Sequence, residues 1–583
     1  MAPAGPYPDL NPTDCRRPAW LVWLCFVAAG ACLARDASGR YFGPPGLAMA
    51  LQAPAIVSWL FAAVSRARGA LILRGQDRAL TLAAFLGGLI LAIVRQSPDV
   101  FLVTITASMS GVILVDWLVL LVRKLDRCRD RPLAVFRAIL VSWLGLGMIC
   151  LVLLSLPLAT LPGVPDYRHN FWMHVANCAF TSVSTACLNG VSAYGFGDDF
   201  SAFGRIVIFL QTQLSGMAWA AAALVAVRPF LRNDIGLNRL LLLCVAVQLA
   251  AATVVWSAWD SADTPTRTDR TWWSLLHVSS AFWNTGWTQR ADGLARYLSV
   301  PRVFATTAIL AIIGSLGLPV MYSLLRRAER GNDPHRLGVP AWKRLPQFEV
   351  WAALFLLILS AGALFVIETP RFLPDVLVPD RPLDFGSGRV SIRDPMPHQT
   401  RWTMAVFVAA TLRSAGLQSL PLSEGAISWP GYALILGLMA VGGSIAGTAS
   451  GMRNSTILLI LISLFSARLA WTQHPGGHAA RRVILRSALL IVLACAALQI
   501  ASAWLLASTT DGTKYEVVFD SVAAVSNVGL STGLALHLTG LGKIVMMLSM
   551  LAGRVLPMFL WLRMSSALVR LTAQGFPQDA QPK

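Results

Sequence analysis

FDSVAAVSNVGLSTG, residues 519–533, is a short, half-polar stretch closing on glycines and set between two apolar runs of membrane-crossing length. The same arrangement occurs three more times, in TSVSTACLNGVS (181–192), HVSSAFWNTGWT (277–288) and FVAATLRSAGLQS (407–419). Each offers a helix too short to cross a bilayer, which takes about 20 apolar residues, followed by glycine and polar residues. Backbone that is neither helix nor closed barrel is not tolerated against lipid, where each unpaired peptide group costs several kcal/mol. It survives where it lines a water-filled cavity. Four such elements are what one polypeptide needs to surround an axis. The expected fold is an all-α integral membrane protein, with four helix–pore loop–helix repeats in pseudo-fourfold symmetry around a central pore and about four extra transmembrane helices before them.

Composition agrees. Of 583 residues, 56% are hydrophobic and 13% charged, against about 25% charged in ordinary soluble domains. The net charge of +19 could suggest nucleic acid, but Arg and Lys gather in short loops between apolar spans. That placement marks cytoplasmic loops, so the expected partner is the lipid bilayer and no nucleic acid. Asp9, Asp14, Arg16 and Arg17 precede the first apolar run without a clean cleavage site, and residues 1–17 read as a cytoplasmic tail. The nine cysteines are scattered without metal-ligand spacing and read as small buried hydrophobes. Paired acids, a metal cluster or a nucleophile beside a histidine are missing from the apolar spans, so no enzyme and no resident cofactor is expected.

The order of spans divides the chain into an N-terminal extension of unknown role (1–137, candidate helices 18–35, 46–65, 78–95 and 98–122), pore repeats over 138–234, 235–343, 344–480 and 481–570, and a cytoplasmic tail, 571–583. The outer, short and inner helices are expected at 138–160, 171–189 and 202–227; at 238–259, 271–285 and 302–325; at 347–368, 401–415 and an interrupted 431–467; and at 483–507, 513–528 and 540–563. Basic turns follow every inner helix that leads to another repeat, which puts both termini in the cytoplasm. Residues 369–400, rich in proline and charge, read as an extracellular loop.

The glycines placed at a filter are Gly190, Gly286, Gly416 and Gly529, preceded by Asn189, Thr285, Ala415 and Val528. Carbonyl oxygens from four such loops can replace the hydration shell of a cation such as K⁺, and short helices ending nearby aim the negative ends of their dipoles at it. Asp198, Asp199 and Glu424 follow filter segments and either concentrate cations at the outer mouth or are solvated surface acids. Asp520 on the fourth short helix has no assignable partner, and Asp116 stands in an apolar N-terminal span. GGSIAGTASG (442–451) interrupts an apolar span with residues that weaken a helix by about 1 kcal/mol per glycine. It is either a loop beneath the filter or a close helix-packing seam. Arg554, inside MMLSMLAGRVLPMFLWL (546–562), faces either a protein or aqueous interior or an ion-pair partner.

Residues 515–557, with VGLSTG and the later GR-x-x-P, closely resemble the potassium transporter superfamily of bacterial Trk and Ktr membrane subunits and plant HKT proteins. LRSAGLQSLPL (412–422), GGSIAGTASGMR (442–453), NGVS, and TGWT with IIGSLGLPV (312–320) extend the likeness over roughly 138–563. It implies K⁺ uptake, with Na⁺ as co-substrate or competitor, through a bacterial inner-membrane protein of the plasma membrane type. It also implies a homodimer of protomers that each have a pore, regulated by a cytoplasmic nucleotide-binding ring that would be a separate polypeptide. The family's intramembrane gate corresponds to Gly442, Gly443, Ser444, Gly447, Thr448, Ala449, Ser450 and Gly451, and its pore arginine to Arg554. This chain departs from the pattern with Ile445 for a proline, Ser450 for a glycine, and Trp287 in the second filter segment. The alternatives are a cation-coupled secondary transporter (Na⁺/K⁺ or H⁺/K⁺), since broken spans at the midplane also build such sites, and a pore-scaffold interaction protein.

Overall fold

The computed structural model describes residues 132–156, 159–161, 171–227, 237–261, 263–290, 293–294, 297, 300–322, 345–368, 398–413, 415–418, 422, 427–465 and 477–575. The expectations for the N-terminal helices, Asp116, Glu424 and most of the 369–400 loop lie outside these residues. Every helix named below belongs to one compact unit of residues 124–155 and 159–583.

Long apolar helices are interspersed with short ones. The chain runs through α1 (Pro132–Leu154), α2 (Phe171–Ala186) and α3 (Ala202–Val227), then α4 (Leu237–Trp256), α5 (Arg267–Trp283) and α6 (Pro301–Leu316). It continues through α7 (Leu345–Glu368), α8 (His398–Thr411), α9 (Trp429–Ala440) and α10 (Asn454–Phe465), and closes with α11 (Gly477–Thr509), α12 (Lys514–Ser526) and α13 (Gly540–Gly575). Among the described residues, six helices are long and apolar enough to cross a membrane. The short helices α2, α5, α8 and α12 have 16, 17, 14 and 13 residues. At 1.5 Å per residue each is about 20–26 Å long, less than the roughly 30 Å of a hydrocarbon core.

Caps fix where the short helices start. Thr266 and Thr513 each accept the N3 amide, while Asp269 and Glu516 reach back to the cap backbone. Such a reciprocal box satisfies amides that would otherwise be orphaned. Helix packing then returns on itself. Inner helix α3 packs on α5, α6 on α8, α9 on α12, and the last helix, α13, on the first short helix, α2.

Sidedness is inverted relative to a water-soluble protein. Trp351, Ile358 and Val366 are 71%, 69% and 72% exposed on α7, as a lipid-facing surface requires. The interior meanwhile takes up Ser182, Thr185, Ser280 and Ser521. The sequence predicts an unbroken inner helix over 302–325, and here the structure differs. Helix α6 stops at Leu316, and Gly317 turns the chain at φ +82°. The cause is contact: a Cβ at Gly317 would fall on the carbonyl oxygen of Ala446. A glycine is required there by both conformation and space.

Candidate functional site

The ends of the four short helices converge. After α2, α5 and α12 the backbone passes through a left-handed residue, Leu188 (φ 54°), Asn284 (φ 57°) or Asn527 (φ 49°). Two residues later comes a glycine that also has positive φ: Gly190 (84°), Gly286 (84°) and Gly529 (90°). Gly416, after α8, has φ 60°. Non-glycine residues avoid this region at a cost of about 1–2 kcal/mol, so the repeated turn is a specified geometry and not an incidental bend.

The four turns touch in a ring. A Cβ on Gly190 would fall on Thr285 O; one on Gly286 would lie 3.1 Å from Ala415 O and 3.0 Å from Gly416 O. One on Gly416 would fall on Val528 O, and one on Gly529 on Asn189 O, which completes the circuit. The structure thus brings together all eight residues picked from sequence as glycine and preceding carbonyl. Every one of them is almost completely withdrawn from solvent or only partly exposed.

Hydroxyl, carboxamide and carboxylate side chains fasten the ring. Thr285 Oγ1 donates to Ser280 O (3.3 Å), and Asn189 Nδ2 to Asn527 Oδ1 (3.4 Å). Asp520 does have a partner. Its Oδ2 accepts from Thr532 Oγ1 (2.5 Å) and Thr532 N (3.3 Å), tying α12 to the segment that leaves the fourth turn. Trp287 is 4% exposed and packs on Phe196 with ring centroids 5.3 Å apart.

Residues 441–453, between α9 and α10, form a buried, non-helical loop. Gly442 N donates to Met452 O (2.9 Å), pinching its two ends together. Ser444 N donates to Ser315 O (2.9 Å) and Thr448 N to Gly314 O (3.0 Å), so the loop lies on the broken end of α6. Cβ atoms at Gly443 and Gly447 would crowd Ser315 O. Of the two readings its sequence allowed, a loop and a helix-packing seam, the segment is a non-helical loop, packed closely on the end of α6.

The loop is also tied to the ring above. The Asn284 carboxamide lies 3.2 Å from Thr448 Oγ1 and, with its nitrogen toward Ala311 O, accepts from Ser315 N at 3.1 Å. Asn527 Nδ2 donates to Ser450 Oγ (3.3 Å) and Met550 O (3.0 Å), and Ser450 Oγ donates to Gly553 O (3.0 Å). The unusual Ser450 thus joins loop, fourth turn and α13. The left-handed asparagines serve twice, shaping the ring and holding the loop.

The family signature of TrkH, described as a cation transport protein, matches residues 237–569, more than half of the chain. The chain belongs to the TrkH family. It is 24% identical over 450 residues to the Ktr system potassium uptake protein B of Vibrio alginolyticus, covering 73% of this chain and 90% of that protein. It is 22% identical over 448 residues to the potassium/sodium uptake protein NtpJ of Enterococcus hirae, covering 71% and 90%. Its fold matches the crystal structure of the potassium transporter TrkH from Vibrio parahaemolyticus with a TM-score of 0.51 at 17% identity, over 86% of this chain and 98% of that one. It is a multi-pass cation transport protein of the bacterial inner membrane.

Within this TrkH-family chain, Arg554 of α13 is 1% exposed, with its Cζ 4.9 Å from the centre of the Trp219 ring. Its Nε and Nη2 have no hydrogen-bond partner. Stacking on tryptophan offsets part of the cost of burying the charge. The neighbouring Gly553 carbonyl receives the Ser450 hydroxyl, which sets Arg554 beside the buried loop. Of the acids expected at an outer mouth, Asp198 is exposed and Asp199 half-buried. Asp199 Oδ2 accepts from Gly195 N (2.6 Å), so it shapes its own turn.

Two of the buried charges that sequence reasoning did not single out border the loop. Arg453 ends the loop at 1% exposure, and Glu349 of α7 is fully buried. The partners of Glu349 lie 95 and 106 residues away, at Ser444 and Ser455. The one available signal was an acid two residues from Trp351, on the opposite face of an apolar helix.

Proposed function

We propose that the chain carries monovalent cations, principally K⁺, through a pore on a pseudo-fourfold axis. Its selectivity filter is the ring of turns at Asn189–Gly190, Thr285–Gly286, Ala415–Gly416 and Val528–Gly529. The observation that carries this reading is the closed circuit in which each filter glycine meets a carbonyl of the next turn. Oxygens held this way replace the water that a K⁺ ion must shed, and the C-terminal ends of α2, α5, α8 and α12 add favourable dipoles. Selectivity for K⁺ draws on the names of the relatives and on glycine at all four positions; Na⁺ is the competing ion.

Below the filter, residues 442–451 act as the gate and Arg554 as a fixed positive charge that shortens cation dwell. The gate's contacts to Asn284 and Asn527 couple its position to the filter. A homodimer with a separate cytoplasmic nucleotide-binding ring is the assembly in which we place the protomer. Purified protein in liposomes should pass K⁺ in preference to Na⁺ down opposed gradients. Equal rates for the two ions would remove the selectivity reading, and uphill K⁺ movement driven by a second ion would replace the pore with a coupled transporter.

A further inference from the structure

Glu349 sits one turn into α7 on the face turned from lipid, opposite Trp351 and Ile358. A carboxylate within an apolar span is expensive and normally serves an interior partner. Here the partners are the two flanks of one loop. Glu349 Oε2 accepts from Ser444 Oγ (2.7 Å), and Oε1 accepts from Ser455 Oγ.

Both hydroxyls are already engaged as acceptors. Ile445 N donates to Ser455 Oγ (2.8 Å) and Ala446 N to Ser444 Oγ (3.1 Å). A serine hydroxyl has a single proton to donate. With a loop amide on one lone pair of each hydroxyl, that proton is directed at Glu349, and both carboxylate oxygens accept. Arg453 Nη1 donates to the loop carbonyls of Ser444 (3.1 Å) and Gly447 (3.4 Å) instead of to the carboxylate. The acid and the base therefore do not form a self-contained pair: each holds the loop from its own side.

We infer that Glu349 is the positioning residue that clasps both flanks of the 442–453 loop and keeps it drawn across the path beneath the filter. The consequence for gating rests on the proposed function of that loop; the clasp itself does not. Helix α7 thereby becomes the element whose movement, acting through one carboxylate, releases the loop.

The test is amide hydrogen exchange on the full-length protein in lipid, comparing native protein with Glu349→Gln and Glu349→Asp, alongside K⁺ and Na⁺ flux. In Glu349→Gln an amide N–H₂ replaces one acceptor and opposes a serine proton. Exchange over 442–453 should rise about tenfold while the filter segment 526–533 stays protected. Basal K⁺ flux should rise several-fold at an unchanged K⁺/Na⁺ ratio. Glu349→Asp, which keeps the charge and both acceptors, should restore most of the protection. If Glu349→Gln does not insert, Ser455→Ala removes one arm of the clasp and should show about half the loosening. Native-like loop exchange in the glutamine variant, or equal loosening of loop and filter, would overturn the inference. Faster loop exchange without any change in flux would leave the clasp standing and refute the gate reading instead.

Discussion

The ring of glycine turns and the 441–453 loop are both largely buried, glycine-rich and non-helical, yet they are held in different ways. The ring is made by backbone: positive-φ glycines, each set against a carbonyl of a neighbouring turn, and short helices ending at each turn. The loop adds to its backbone bonds a set of side-chain fastenings, namely Ser444, Thr448, Ser450, Ser455 and the buried charges Glu349 and Arg453. Contacts built from carbonyls and Cα atoms leave no rotamer that can let go. Hydrogen bonds from single hydroxyls, worth about 1 kcal/mol net apiece, can be broken one at a time. The ring thus favours rigidity, while the loop's side-chain fastenings allow release.

The largest effect should come from Gly190→Ala. The new Cβ would fall on Thr285 O at φ 84°, combining a backbone cost of about 1–2 kcal/mol with a displaced filter carbonyl. K⁺ flux per inserted protein should drop about 100-fold; near-native flux would mean that the ring does not line the path.

Arg554→Gln removes the charge but keeps much of the packing on Trp219. It should raise flux several-fold with protein yield unchanged, read by unitary conductance in planar bilayers. A loss of folded protein in place of raised conductance would reassign Arg554 to structure. A smaller change is expected from Ser450→Ala, which leaves Gly553 O and one Asn527 proton unsatisfied. At about 1 kcal/mol this amounts to roughly a fivefold shift in open fraction, at constant K⁺/Na⁺ preference. A changed preference would mean that the asparagine ties transmit directly into the filter. Asp198→Asn, at an exposed position, should lower flux by less than twofold at low ionic strength, with no effect at about 1 M salt, where screening is nearly complete.

What sequence made visible follows the same division. The four converging turns were legible because one local pattern recurs: a short helix, then glycine, four times over. The spans were legible because lipid imposes length and apolarity on each of them separately. The loop's position was legible from its glycines, but its fastenings were not. Glu349 meets serines about a hundred residues away, and an acid near the start of an apolar helix reads locally as an interfacial residue. The end of α6 at Gly317 was hidden for a related reason. Glycine is ordinary in membrane helices, and only the approach of Ala446 O makes this one a break. Asp520 likewise acquires meaning only when the chain returns to bring Thr532 against it.

The most direct test of the central claim is flux in proteoliposomes under opposed K⁺ and Na⁺ gradients, comparing native protein with Gly529→Ser. A serine there projects its Cβ toward Asn189 O and Thr285 O, across two other turns of the ring. The account expects K⁺-preferring flux in the native protein and a loss of that preference in the variant. An inserted, folded variant that passes K⁺ over Na⁺ as the native protein does would contradict it.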